Sequence, residues 1–147
     1  MTRVFMLLFS TALMAAMGDS DPDATTKDLE KMQGDWAVVS VIRDGVKEED
    51  DNAQSLFRTV KDHQYTVFLF DKPVGNGTFQ IDATKKPKAI DSFPANLAGK
   101  ALLGIYQIEG NTIKTCYSPA GKDRPTEFSS KKGSEHTLMV WEREKKK

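Results

Sequence analysis

Cysteine is almost missing: Cys116 stands alone among 147 residues, which excludes an internal disulfide framework and any multi-cysteine zinc site. Histidine is scarce as well. His63 and His136 are the only two, so little is available for metal ligation or proton transfer near neutral pH. Net charge is absent, because 21 basic residues cancel 21 acidic ones. Binding to a phosphate backbone needs a clustered excess of Lys and Arg, so no nucleic-acid partner is expected. The usual catalytic signatures are missing too. No serine sits in a G-x-S-x-G context, no carboxylate pair stands out, and Gly75-Asn76-Gly77 lacks the third glycine and the following helix of a dinucleotide fingerprint. The expectation is a protein that is not an enzyme and that uses no cofactor and no metal. With 29% charged and 39% hydrophobic residues, the composition is that of neither a disordered chain nor a membrane bundle.

What is present begins with three zones at the N-terminus. Arg3 precedes 14 uncharged residues, 4–17 (VFMLLFSTALMAAM), and Ala16 and Gly18 are small residues at the −3 and −1 positions of a cleavage after Gly18. This layout predicts a signal peptide over 1–18, with an apolar run too short for a comfortable permanent span. Export to the periplasm or the extracellular space follows, with no stable membrane span after cleavage; retention as an uncleaved anchor is the alternative. Residues 19–27 read as a flexible acidic leader, 28–144 as the folded domain and 145–147 as a basic tail.

Within the domain, residues 26–32 (TKDLEKM) predict a short helical turn, with Thr26 as N-cap and Leu29 and Met32 on one face. Helical periodicity then ends. Residues 34–43 (GDWAVVSVIR), 56–60, 64–70 (QYTVFLF), 74–83 (VGNGTFQIDA), 88–93, 101–109 (ALLGIYQIE), 111–118 (NTIKTCYS) and 136–143 (HTLMVWER) read as strands between turn residues. Residues 126–129 are a candidate ninth, and 47–52 (KEEDDN) read as a solvated loop. In the first strand Trp36, Val38, Ser40 and Ile42 share one face and Ala37, Val39 and Val41 the other. Sequential hairpins with one polar face predict an all-β, antiparallel meander barrel of eight strands, possibly nine, since closure removes exposed edges. A two-layer sandwich is the competing architecture.

Gly34-Asp35-Trp36, after a helical turn and at the start of the first strand, resembles the G-x-W signature of lipocalin-type barrels. That resemblance implies a Trp plugging one end of the barrel and an Arg from the last strand packed across it, for which Arg143 is the candidate. The pair also makes sense without any family: a guanidinium over an indole gains cation–π energy and ties the first strand to the last. The runs GDWAVVSVIRDG, GTFQIDATKKPKAID, LLGIYQIEGNTIKTCYSP and GKDRPTEFSS…HTLMVWERE resemble a family of small, often exported, lipocalin-like planctomycete domains, over residues 28 to 144. The resemblance implies fold and export and carries no reaction and no catalytic residues.

Five aromatics on different strands, Trp36, Tyr65, Phe79, Tyr106 and Tyr117, are each able to point inward beside Val38, Ile81, Ile108 and Ile113. They predict either a pocket for a small apolar or amphipathic ligand or a filled core. With a filled core, the chain would be a cell-envelope protein-interaction module using loops 47–52 and 120–125. A third reading, an enzyme, would rest on His136 beside Glu135 or on Cys116 with Lys114 two residues away. Neighbouring strand residues point to opposite faces, so sequence alone does not assemble His136 with Glu135, whereas Lys114 shares a strand face with Cys116. Cys116 is also a candidate for an intermolecular disulfide, and Asn76-Gly77-Thr78 matches a glycosylation sequon.

Overall fold

Alternating side chains and turn residues with positive φ drive the chain into successive hairpins. The structure, a computed structural model, describes residues 22–145; the expected signal segment 1–18, residues 19–21 and the last two lysines lie outside the described residues. The strands are β1 (Gly34–Arg43), β2 (Val46–Lys47), β3 (Leu56–Lys61), β4 (Gln64–Leu69), β5 (Lys72–Asp82), β6 (Ala89–Pro94), β7 (Leu102–Glu109), β8 (Thr112–Tyr117) and β9 (Thr137–Arg143). Each pairs antiparallel with the next in the order β2-β1-β3-β4-β5-β6-β7-β8-β9, and β1 also pairs with β9. Eight strands therefore close into a barrel, and β2 extends β1 as a short hairpin arm. Its turn, Asp44-Gly45, has φ of 48° and 81°, which suits Asp and Gly.

The helix α1 (Pro22–Met32) is longer than the turn expected from Thr26 onward, and it replaces most of the expected flexible leader. Proline suits a first helical turn, where its missing N–H is no loss. Docking fixes the rest. Thr25 Oγ1 accepts from Ala83 N at 3.0 Å, buried Asp28 reaches Lys88 and Tyr106, and Met32 enters the core. Gln33 then clasps the β3–β4 turn, accepting from Asp62 N and donating to Asp62 O.

Three local expectations change. The ninth strand is Val46–Lys47, whereas residues 126–129 form no strand. They belong to a long connection draped over the outer barrel wall, where Ser129 O accepts from Cys116 Sγ. The stretch 47–52 is no simple loop either: it gives Lys47 to β2 and opens α2 (Asp51–Gln54), whose N-cap Asp50 accepts from Ala53 N at 2.7 Å. Finally, β1 carries a bulge between Val38 and Ser40, and Val39 is 55% exposed. A bulge inserts one unpaired residue and flips the alternation. Beyond it, Val41 opposite Met139 and Arg43 opposite Thr137 share the inward face, where Ser40 and Ile42 were expected.

The same long connection explains buried residues on the outside. Arg124 Nη1 donates to Ile90 O (3.2 Å) and Gly104 O (2.8 Å), and its Nη2 pairs with Asp91 at 2.7 Å. Ala89, Ile105 and Cys116 lie on that outer wall by register, yet all are buried. The expected free loop 120–125 is thus anchored at Arg124 and at buried Pro125, leaving residues 120–123 exposed.

Candidate functional site

The inward side chains do not fill the barrel. A lumen of about 650 Å3 extends from Phe79 and Ile90 to a mouth framed by Arg43, Asp44, Pro119 and Glu135. That volume lies within the range of roughly 300–1,000 Å3 for small-molecule sites. Its walls are mostly apolar, with Leu56, Val67, Leu102 and Met139 among them. The filled-core expectation is therefore corrected, and two cross-strand pairs supply the physical reason. Tyr65 lies opposite Gly77 and Tyr117 opposite Gly104. A Cβ at Gly77 would stand 2.6 Å from the Tyr65 hydroxyl, and one at Gly104 would stand 2.6 Å from Tyr117 Cδ1. Each phenol ring therefore lies along the wall over a glycine, where any larger residue would push it toward the axis.

The opposite end is sealed. Trp36 is fully buried, and its Nε1 donates to Met32 O at 2.9 Å. Arg143 stacks over it, 4.3 Å from the ring centroid, and donates to Gln33 O (2.7 Å) and Lys31 O (2.5 Å). One strand away the pattern repeats with a difference. Arg58 on β3 stacks 4.9 Å from the centroid of Trp141 on β9. Unlike Arg143, it has no carbonyl or carboxylate acceptor among the described residues, and its Nε is buried without a partner. It lines the lumen, and desolvation pulls its pKa below the usual arginine value, against the opposing influence of Tyr117 and Tyr65.

The five aromatics expected to line a pocket separate into two groups. Tyr65, Phe79 and Tyr117 line the lumen. Trp36 does not, because it is the plug. Tyr106 does not either: it is buried, and its hydroxyl donates to Asp28 at 2.8 Å, beside the Lys88–Asp28 ion pair at 2.7 Å. Burial first, then the bond to Asp28, holds the Tyr106 phenol far above the usual tyrosine range. Tyr117 is pushed up to about 12 by burial, so its hydroxyl remains a donor at neutral pH. Tyr65 shares a hydrogen bond with Ser92 Oγ at 3.1 Å, on the lumen wall.

Sequence reasoning missed Arg58. The signal was there in the spacing Leu56-x-Arg58-x-Val60, which sets a cation in the middle of an inward apolar face. The other candidates are not brought together. His63 bonds through Nδ1 to Phe79 O at the turn near the sealed end, whereas His136 precedes β9 at the mouth. Cys116 lies on the outer wall, with burial raising its thiol pKa, and Lys114 stacks on Phe128, 5.9 Å from the ring centroid. Being buried, Cys116 is not presented for an intermolecular disulfide.

Among the described residues, no group of three or more His, Cys, Asp or Glu is placed to hold a metal, and no helix is long and apolar enough to cross a membrane. No protein-family model and no curated protein matches the chain, so the lumen's own geometry must carry the reading of function.

Proposed function

We propose that this protein is an exported, non-enzymatic binding protein of lipocalin-like type that holds one small apolar or amphipathic molecule inside its barrel. The observation that carries the reading is the lumen of about 650 Å3, closed by Trp36 and Arg143 and open at the other end. An apolar cavity of this size with a few convergent polar groups is the usual form of a small-molecule site. The interaction-module alternative loses its premise with the filled core. The enzyme alternative has no histidine or cysteine facing the lumen to support it. Export is part of the same proposal, supported by the three-zone N-terminus, and so is kinship with the exported planctomycete domains that the sequence resembles.

The test is a titration of the purified mature chain with a neutral naphthylamine dye that fluoresces in apolar surroundings. Saturable binding at one dye per chain is expected, and Met139→Trp, which fills the lumen, should abolish it while leaving the circular-dichroism spectrum β-rich. Absence of saturable binding, with no ligand retained in native mass spectrometry, would remove the proposal.

A further inference from the structure

The lumen is apolar but not neutral. Among the described residues, Arg58 is the one cation along its deeper wall, and the only carboxylates on the lining, Asp44 and Glu135, sit at the mouth. Asp44 is already committed, accepting from Gly133 N and Glu135 N at 2.8 and 2.9 Å. Arg43, also at the mouth, is paired with Glu48 at 2.9 Å. Among the described residues, therefore, the inner guanidinium has no compensating partner except the face of Trp141. Burying a cation without a partner is costly, and native proteins pair such groups. The contrast with Arg143 sharpens the point, since the same Arg-on-Trp stack at the sealed end is completed by two backbone acceptors. Hydroxyl donors lie close by. The Tyr117 hydroxyl makes no hydrogen bond among the described residues, and Tyr117 and Tyr65 line the same lumen, near enough to influence the Arg58 guanidinium.

We infer that Arg58, aided by the Tyr117 hydroxyl, is the headgroup subsite for an amphiphile carrying a single carboxylate, whose apolar part lies against Leu56, Val67, Leu102 and Met139. A carboxylate matches the forked guanidinium in two parallel hydrogen bonds. One negative charge neutralises one buried cation, whereas a doubly charged phosphate would leave an excess in an apolar chamber. This deepens the binding proposal and rests on it.

The experiment uses three probes that share a twelve-carbon chain: dodecanoate, dodecan-1-ol and dodecyltrimethylammonium. Each displaces the neutral dye from the mature protein. Dodecanoate is expected to bind roughly tenfold to a hundredfold more tightly than the alcohol, the range for a charged hydrogen bond, and the cation most weakly. Arg58→Met should erase that preference while retaining the alcohol, with a melting temperature no lower than wild type, because an unpaired buried charge has been removed. The wild-type series needs no variant, so it decides the matter even if Arg58→Met fails to fold. Equal binding of acid and alcohol, or an Arg58→Met protein that still prefers the acid, overturns the headgroup assignment and leaves the lumen reading standing. If dye and all three probes fail to bind, the lumen reading itself falls.

Discussion

At the scale of single residues, two arginines and two tryptophans show how one contact serves two ends. Trp36 lies opposite both Arg58 on β3 and Arg143 on β9, so the seam of the barrel is an Arg–Trp layer. Trp36 and Arg143 were legible in the sequence through the resemblance of Gly34-Asp35-Trp36 to a G-x-W signature, which implies a Trp plug with an Arg of the last strand across it. Tyr106 was misread for a tertiary reason: its partner Asp28 comes from a helix whose docking no local pattern announces. Arg58 was passed over because a cation within a strand reads by default as surface. Since Trp36 is fully buried and caps the sealed end, Trp36→Ala should destabilise the fold by about 3–5 kcal/mol, the usual cost of deleting a large buried aromatic. Guanidinium melts of wild type and variant measure it, and an unchanged midpoint would show that the indole does not support the core.

At the scale of elements, strand existence was readable and strand detail was not. Apolar alternation and turn residues located the eight barrel strands, but the bulge in β1 could not be seen in a segment apolar on both faces, where either alternation satisfies the pattern. The draped connection over β6 to β8 explains why the outer wall carries apolar Ile105 and Cys116, which alternation alone would assign to solvent. The docking of α1 is the element-level interaction most open to test. Asp28 accepts from both Lys88 and Tyr106, and only the lysine has ready access to water. Asp28→Ala should cost about 1–3 kcal/mol, chiefly for the stranded Tyr106 hydroxyl. Adding Tyr106→Phe should then cost less than it does in the wild-type background, because that hydroxyl no longer has a partner to lose. A double-mutant cycle by chemical denaturation gives the coupling directly, and strictly additive losses would mean that Asp28 and Tyr106 do not act as a unit.

At the scale of the whole molecule, closure by the β1–β9 ladder leaves β2, among the described residues, as the one strand outside the barrel, and it leaves an interior wide enough to stay open. Whether that interior was filled was beyond the reach of sequence, because it depends on how Tyr65 and Tyr117 lie over Gly77 and Gly104. Two of the three interior phenols also set the molecule's behaviour in alkali. Both Tyr106 and Tyr117 have pKa values raised in the fold, Tyr117 to about 12, whereas unfolded tyrosines ionise near 10. Between those values the folded state holds more protons than the unfolded state, so stability falls as pH rises. This stabilisation is complete below about pH 10 and is lost progressively from there to about pH 12 for Tyr117, with the Tyr106 share lost at still higher pH. Lysine deprotonation acts in the same window, so the comparison that isolates the phenols is between wild type and Tyr117→Phe. The variant's denaturation midpoint should decline less steeply between pH 9 and 11.5. Parallel slopes for the two proteins would show that Tyr117 ionises as freely in the barrel as in water, and that the lumen is wetter than its apolar walls imply.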